Sequence, residues 1–171
     1  MIYHTIEKRT EGLLIKYDLS EVPINVDKLV TTLKVGLEYP TLSDDVSGFF
    51  VMKEGRPFIA CNKLHNKRRR RFTLAHELGH FILHSGNKTL FVDKTKSVMF
   101  RDSDSSSGEQ MREREANAFA AALLMPEKLI KQEAENMFGN KIVDQLAKKF
   151  GVSTQAMSFR LSNLGYDFGM F

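Results

Sequence analysis

His76 and His80 stand four residues apart, with Glu77 directly after the first, in the run His76-Glu77-Leu78-Gly79-His80. On an α-helix, residues i and i+4 project from one face about one turn apart, so both imidazoles can reach a single metal ion. A glutamate beside that face is placed to take a proton from water that the ion activates. The pattern is the H-E-x-x-H signature associated with zinc-dependent peptide hydrolysis. Zinc is the expected ion, and manganese or another divalent ion suits the same donors.

Two histidines leave the site open, since a catalytic zinc usually takes three protein ligands. His84 continues the four-residue spacing, but at about 1.5 Å rise per residue it lies roughly 12 Å from His76 along a straight helix. One ion cannot bind both, so His84 reads as a supporting or helix-end residue. A longer motif with a third histidine six residues after His80 also fails, because Leu83 and Gly86 occupy its Gly and His positions. The remaining candidate segment is downstream, in Met111 to Pro126. There Glu113 and Asn117 are four apart on one helical face: a carboxylate for the metal, and a polar group to hold a ligating histidine by its other ring nitrogen. Glu113 is the better third ligand. Glu115, about 200° around the helix from it, is the fallback.

Long elements must position these groups. Lys67 to His84 reads as one helix, and Phe72, Leu74, Ala75, Leu78, Phe81, Ile82 and Leu83 suit packing on more than one side. The Ala-rich stretch ending at Met125-Pro126 is a second helix. Asn25 to Leu33 predicts a short helix capped by Asn25. Val35–Tyr39, Val46–Lys53, Pro57–Asn62, Leu90–Val92 and Ser97–Phe100 are strand-like, with Glu54-Gly55-Arg56 a hairpin turn. Asp102 to Gly108, rich in serine, reads as a mobile loop. Three helices follow: Pro126 toward Phe138, stopped at Gly139; Lys141 to Phe150, stopped at Gly151; and a third capped by Ser153, ending near Gly165.

The run Arg71-Phe72-Thr73-Leu74-Ala75 leading into the H-E-L-G-H segment, then Glu113-x-Glu115-Ala116-Asn117-x-Phe119-Ala120, then Leu123-Leu124-Met125-Pro126, resembles the ImmA/IrrE family of metallopeptidases. Ser47-Gly48-Phe49 is similar to the family's first hairpin region, and Leu146-Ala147 through Leu164-Gly165 to its C-terminal helices. The resemblance implies two histidines and a glutamate on the metal, which map onto His76, His80 and Glu113, with Glu77 as general base. It also implies a protein substrate, a separate helix-turn-helix repressor, in a mobile-element or stress-response setting.

The expected fold class is α+β: a small antiparallel or mixed sheet packed on a zincin-like metal helix and a ligand helix, with a three-helix, helix-turn-helix-like tail. Residues 1–125 would form the metallopeptidase domain and 126–171 the helical region packed on it. A chain of 171 residues with 42% hydrophobic content can bury a real core. One cysteine, Cys61, allows no internal disulfide, which agrees with a reducing compartment. The N-terminal residues carry no signal-like apolar stretch, and no apolar run approaches membrane-spanning length, so a cytoplasmic protein is expected.

Net charge is +4, and Lys67-Arg68-Arg69-Arg70-Arg71 is densely basic. A solvated first helical turn is favoured over nucleic-acid binding, and packing or partner docking by the tail over a DNA-groove role. The alternative function is a non-proteolytic, metal-stabilised module that binds DNA or protein, including a toxin–antitoxin type. For the oxyanion of hydrolysis, His65, Tyr166 and Arg160 are candidates that spacing does not separate.

Overall fold

Helix α3 (Lys67–His84) is enclosed on several sides by neighbouring strands and helices. In chain order the computed structural model contains α1 (Ile2–Lys16), α2 (Val26–Thr32), β1 (Gly36–Glu38), β2 (Val46–Lys53), β3 (Arg56–Cys61), α3, β4 (Leu90–Lys94), α4 (Ser103–Leu124), α5 (Glu127–Ala134), α6 (Ile142–Phe150) and α7 (Thr154–Asn163). The described residues are 2–85, 90–94, 103–135, 137 and 141–166.

The sheet has the order β1-β3-β2-β4. β1 runs parallel to β3, and β2 is antiparallel to both β3 and β4, so the α+β class with a small mixed sheet is observed. β2 and β3 are joined by a two-residue turn in which Glu54 and Gly55 both have positive φ, 50° and 74°. That geometry matches the twist of the strands and explains the glycine. β2 and β3 pack on α3, while α4 covers another side of the same helix. Every side chain from Thr73 to Leu78, and His80 after Gly79, is buried. Gly48 permits the close seating of β2, since a Cβ there would stand 2.5 Å from Thr73 Cγ2 and 2.6 Å from the Ala60 carbonyl oxygen.

Asn66 caps α3, its side-chain oxygen accepting from the Arg69 N–H at 3.0 Å. The basic run that follows is largely folded back. Arg69 donates to Ser47 Oγ, and Arg70 donates to the Lys63 carbonyl while lying over the Tyr39 ring. Arg71 donates to the carbonyls of Ile24 and Phe150, at 2.9 and 3.4 Å, tying the metal-motif helix to the segment before α2 and to the end of α6. Lys67 and Arg68 remain exposed.

The last two C-terminal helices follow the expected boundaries. Gly151 closes α6 at φ 67°, and Ser153 Oγ accepts from the Ala156 N–H at the start of α7. α5 ends at Ala134, earlier than expected; Phe138 and Gly139 lie outside the described residues. Leu146, Phe150, Met157 and Leu161 join one apolar cluster with Leu74 and Leu78. Burying such a side chain contributes about 1.5–3 kcal/mol each.

Two further features differ from the sequence expectation. The segment expected as a loop over Asp102–Gly108 is helical from Ser103 onward, the first turns of α4. Serine and aspartate favour loops and helix N-termini for the same reason, a short side chain that bonds nearby backbone N–H groups, so composition alone does not separate the two. Second, α1 was not anticipated. It buries only Ile6, Thr10 and Leu14, a stripe one residue wide among charged neighbours, and it packs on α4. Of the expected strands, Leu90–Val92 is realised within β4, while Ser97–Phe100 lies outside the described residues.

Candidate metal centre

α3 supplies His76 and His80 from consecutive turns, and α4 crosses beside them with Glu113. The Nε2 atoms of the two histidines are 3.0 Å apart. His76 Nε2 lies 3.2 Å from one Glu113 carboxylate oxygen and His80 Nε2 lies 3.2 Å from the other. Among the described residues this is the group of three or more His, Cys, Asp or Glu side chains whose ligand atoms converge, all within 4.8 Å of one another. Donors held about 2.0–2.1 Å from a tetrahedral ion stand about 3.3 Å apart, so the spacing fits a divalent metal. The histidines are 4% and 1% exposed, whereas the Glu113 side chain is half exposed and opens the site to solvent.

The histidine orientation is fixed from behind. His76 Nδ1 is 3.0 Å from Asn117 Oδ1. An amide oxygen can only accept, so Nδ1 carries a proton, which leaves the Nε2 lone pair available to an ion. Burial raises the pKa of the Glu113 carboxyl, but the His76 and His80 imidazoles beside it outweigh that effect and hold the group well below the usual carboxylate range. Glu77 is fully buried next to the first histidine.

The other candidates fall elsewhere. Glu115 is turned away from the histidine pair and places Oε2 3.4 Å from Nε2 of His84, at the last turn of α3. Burial first, and the neighbouring His80 second, lower the His84 pKa against the pull of Glu115. Arg160 is engaged with Glu7 through both terminal nitrogens and with the Met125 carbonyl through Nε. Tyr166 donates to Glu127. His65 sits in the turn between β3 and α3.

Sequence reasoning passed over the glycine inside the motif. A Cβ on Gly79 would lie 3.2 Å from Ala116 Cα and from two atoms of Phe119. The missing side chain lets α4 approach α3 closely enough for Glu113, one turn before this contact, and Asn117, within it, to reach the imidazoles. The signal was present in Ala116, the small residue between them on α4.

The family model Peptidase_M78, described as the IrrE N-terminal-like domain, matches residues 30–162. The chain belongs to the ImmA/IrrE metallopeptidase family. An immunity region protein of Bacillus phage phi105, itself described as uncharacterized, is 28% identical over 153 residues, covering 90% of this chain and 87% of the phage protein. The radiation response metalloprotease IrrE of Deinococcus radiodurans is 36% identical over 106 residues, 61% of this chain and 30% of that protein. Metallopeptidase ImmA of Bacillus subtilis is 27% identical over 100 residues, 58% of this chain and 53% of that protein. The match thus covers less than two thirds of either named peptidase. In fold, this ImmA/IrrE member is similar to a Mycobacterium tuberculosis transcriptional regulator, with a TM-score of 0.64 at 18% identity, over 93% of this chain and 46% of that one. No helix among the described residues is long and apolar enough to cross a membrane.

Proposed function

We propose that this chain is a zinc-dependent endopeptidase that cleaves a separate helix-turn-helix transcriptional repressor in the cytoplasm, in a mobile-element or stress-response setting. The observation that carries the reading is the convergence of His76, His80 and Glu113 with fully buried Glu77 beside them. His76, His80 and Glu113 would hold the ion, zinc or a substitute such as manganese. When bound, the ion supplies Lewis acidity toward water and a peptide carbonyl.

The chain's own residues do the rest. Asn117 holds the His76 ring through Nδ1. The Glu77 carboxylate accepts a proton from the attacking water and returns it to the leaving amine nitrogen. Its burial next to His76 keeps competing bulk water from that proton. We read residues 1–125 as the zincin-like, gluzincin-type peptidase region and residues 126–171 as a helix-turn-helix-like region packed on it. Joining of α6 and α7 side chains to the main apolar cluster supports packing over a DNA-groove role. The inward engagement of Arg69, Arg70 and Arg71 likewise favours a protein over a nucleic-acid partner. The phage immunity region relative supports the mobile-element setting.

The test pairs the metal-loaded protein with any small helix-turn-helix repressor found encoded beside its gene. Cleavage is expected with the wild type and not with Glu77→Gln, which should keep its metal. Equal behaviour of the two proteins would point to the binding module instead.

A further inference from the structure

A cleft of about 540 Å³ lies between α1, α4 and α7. Its α4 wall is Arg114, Asn117, Ala118 and Ala121, and Asn117 is the residue bonded to His76. On α4, Glu113, Asn117 and Ala121 follow one another at four-residue steps, so a single strip of helix surface leads from the half-exposed carboxylate of the metal centre into the cleft. The opposite walls carry His4 and Glu7 from α1 and Arg160, Asn163 and Leu164 from α7.

The charges in the cleft do not balance. Glu7 and Arg160 neutralise one another in a two-pronged ion pair. That leaves the charge of Arg114, exposed and with no acidic partner among the described residues, beside the exposed His4 ring and over a floor of alanine and leucine. A guanidinium beside an apolar floor suits a carboxylate on a short aliphatic stem. We propose that this cleft is a substrate subsite, and that Arg114 receives a glutamate or aspartate side chain of the polypeptide to be cut. The proposal rests on the peptidase reading and adds a sequence preference to it. The α1 wall lies before residue 30, outside the span matched by the family model, so part of the preference belongs to this chain's own N-terminal helix.

Binding can be read without turnover. Zinc-loaded protein carrying Glu77→Gln is titrated with the capped tripeptide Ala-Glu-Leu, and separately with Ala-Gln-Leu and Ala-Lys-Leu, following amide and arginine Nε–H resonances by NMR. The glutamate peptide is expected to bind about fivefold tighter than the glutamine one, the size of a partly exposed ion pair. Its shifts should centre on Arg114, Ala118, Ala121 and Asn163, and the preference should weaken with salt. Arg114→Gln should abolish the preference, while Arg68→Gln, the loss of an exposed cation elsewhere, should leave it intact. Equal binding of the three peptides, shifts away from the cleft, absence of binding, or a preference that survives Arg114→Gln would each overturn the proposal. Charge-selective binding combined with no cleavage of any repressor by the wild type would instead remove the peptidase reading and leave the cleft as an acidic-peptide site.

Discussion

His76 Nδ1 and Asn117 Oδ1 meet at 3.0 Å across the contact between α3 and α4. One residue belongs to the candidate donor set and the other is hydrogen-bonded to its far ring nitrogen. Replacing Asn117 by Ala should leave the fold intact, since the side chain is exposed on its far side, but should lower metal affinity about 10–100-fold. Competition against a chromophoric chelator measures this directly. Unchanged affinity in that assay would mean that the hydrogen bond does not position the imidazole.

The third donor can be separated from its fallback by stability. A ligand that binds only the folded state at 1,000 times its dissociation constant adds about 4 kcal/mol, which for a chain of this size is on the order of 10 °C in melting temperature. Zinc should raise the melting temperature of the wild type and of Glu115→Gln alike. Glu113→Gln should lose most of that increase, and chelator should erase it in all three. An increase lost in Glu115→Gln but kept in Glu113→Gln would transfer the ligand role to the residue now paired with His84.

Gly79 makes a sharper structural prediction. Leucine at this position would have to enter space already held by Ala116 and Phe119. Overpacking of this kind costs about 1–3 kcal/mol, and the relief available is to push α4 away from α3. Metal affinity should therefore fall together with stability, although residue 79 carries no donor. Thermal unfolding and zinc titration of Gly79→Leu read the two effects in parallel.

Much of the site was legible because it lies on one long helix. The i, i+4 spacing fixed which face His76 and His80 share, and the same spacing linked Glu113 to Asn117. The bounds expected for α3 and β2 coincide with those observed, since the Asn66 cap and the Gly55 turn mark them chemically. What escaped was tertiary. The role of Gly79 depends on which helix lies opposite, and α1 has too few apolar positions to announce itself before α4 is in place to receive them. The serine-rich start of α4 failed for a third reason, because residues that cap helices and residues that fill loops are the same ones.

The ion pair of Glu7 with Arg160 joins α1 to α7, and Arg160 is only 6% exposed. Glu7→Ala would leave a buried guanidinium with the Met125 carbonyl as its remaining partner. Because Glu7 is itself part-exposed, a loss of about 1–3 kcal/mol is expected, less than for a fully buried pair. Hydrogen exchange should show α1 opening first, while zinc binding through α3 and α4 persists. Loss of zinc binding with intact α1 protection would contradict this order.

The same ion pair sets a timetable for synthesis. Its two partners are 153 positions apart, nearly the length of the chain. At about 5–20 residues per second, a ribosome needs roughly 8–30 s between making one and making the other. Throughout that interval α1 has been translated but its partner has not, and the face bearing Ile6 and Leu14 depends on α4 and other later segments for cover. α1 is thus made well before the segments that fasten it, and in nascent chains it should remain sensitive to proteolysis until α7 has left the exit tunnel.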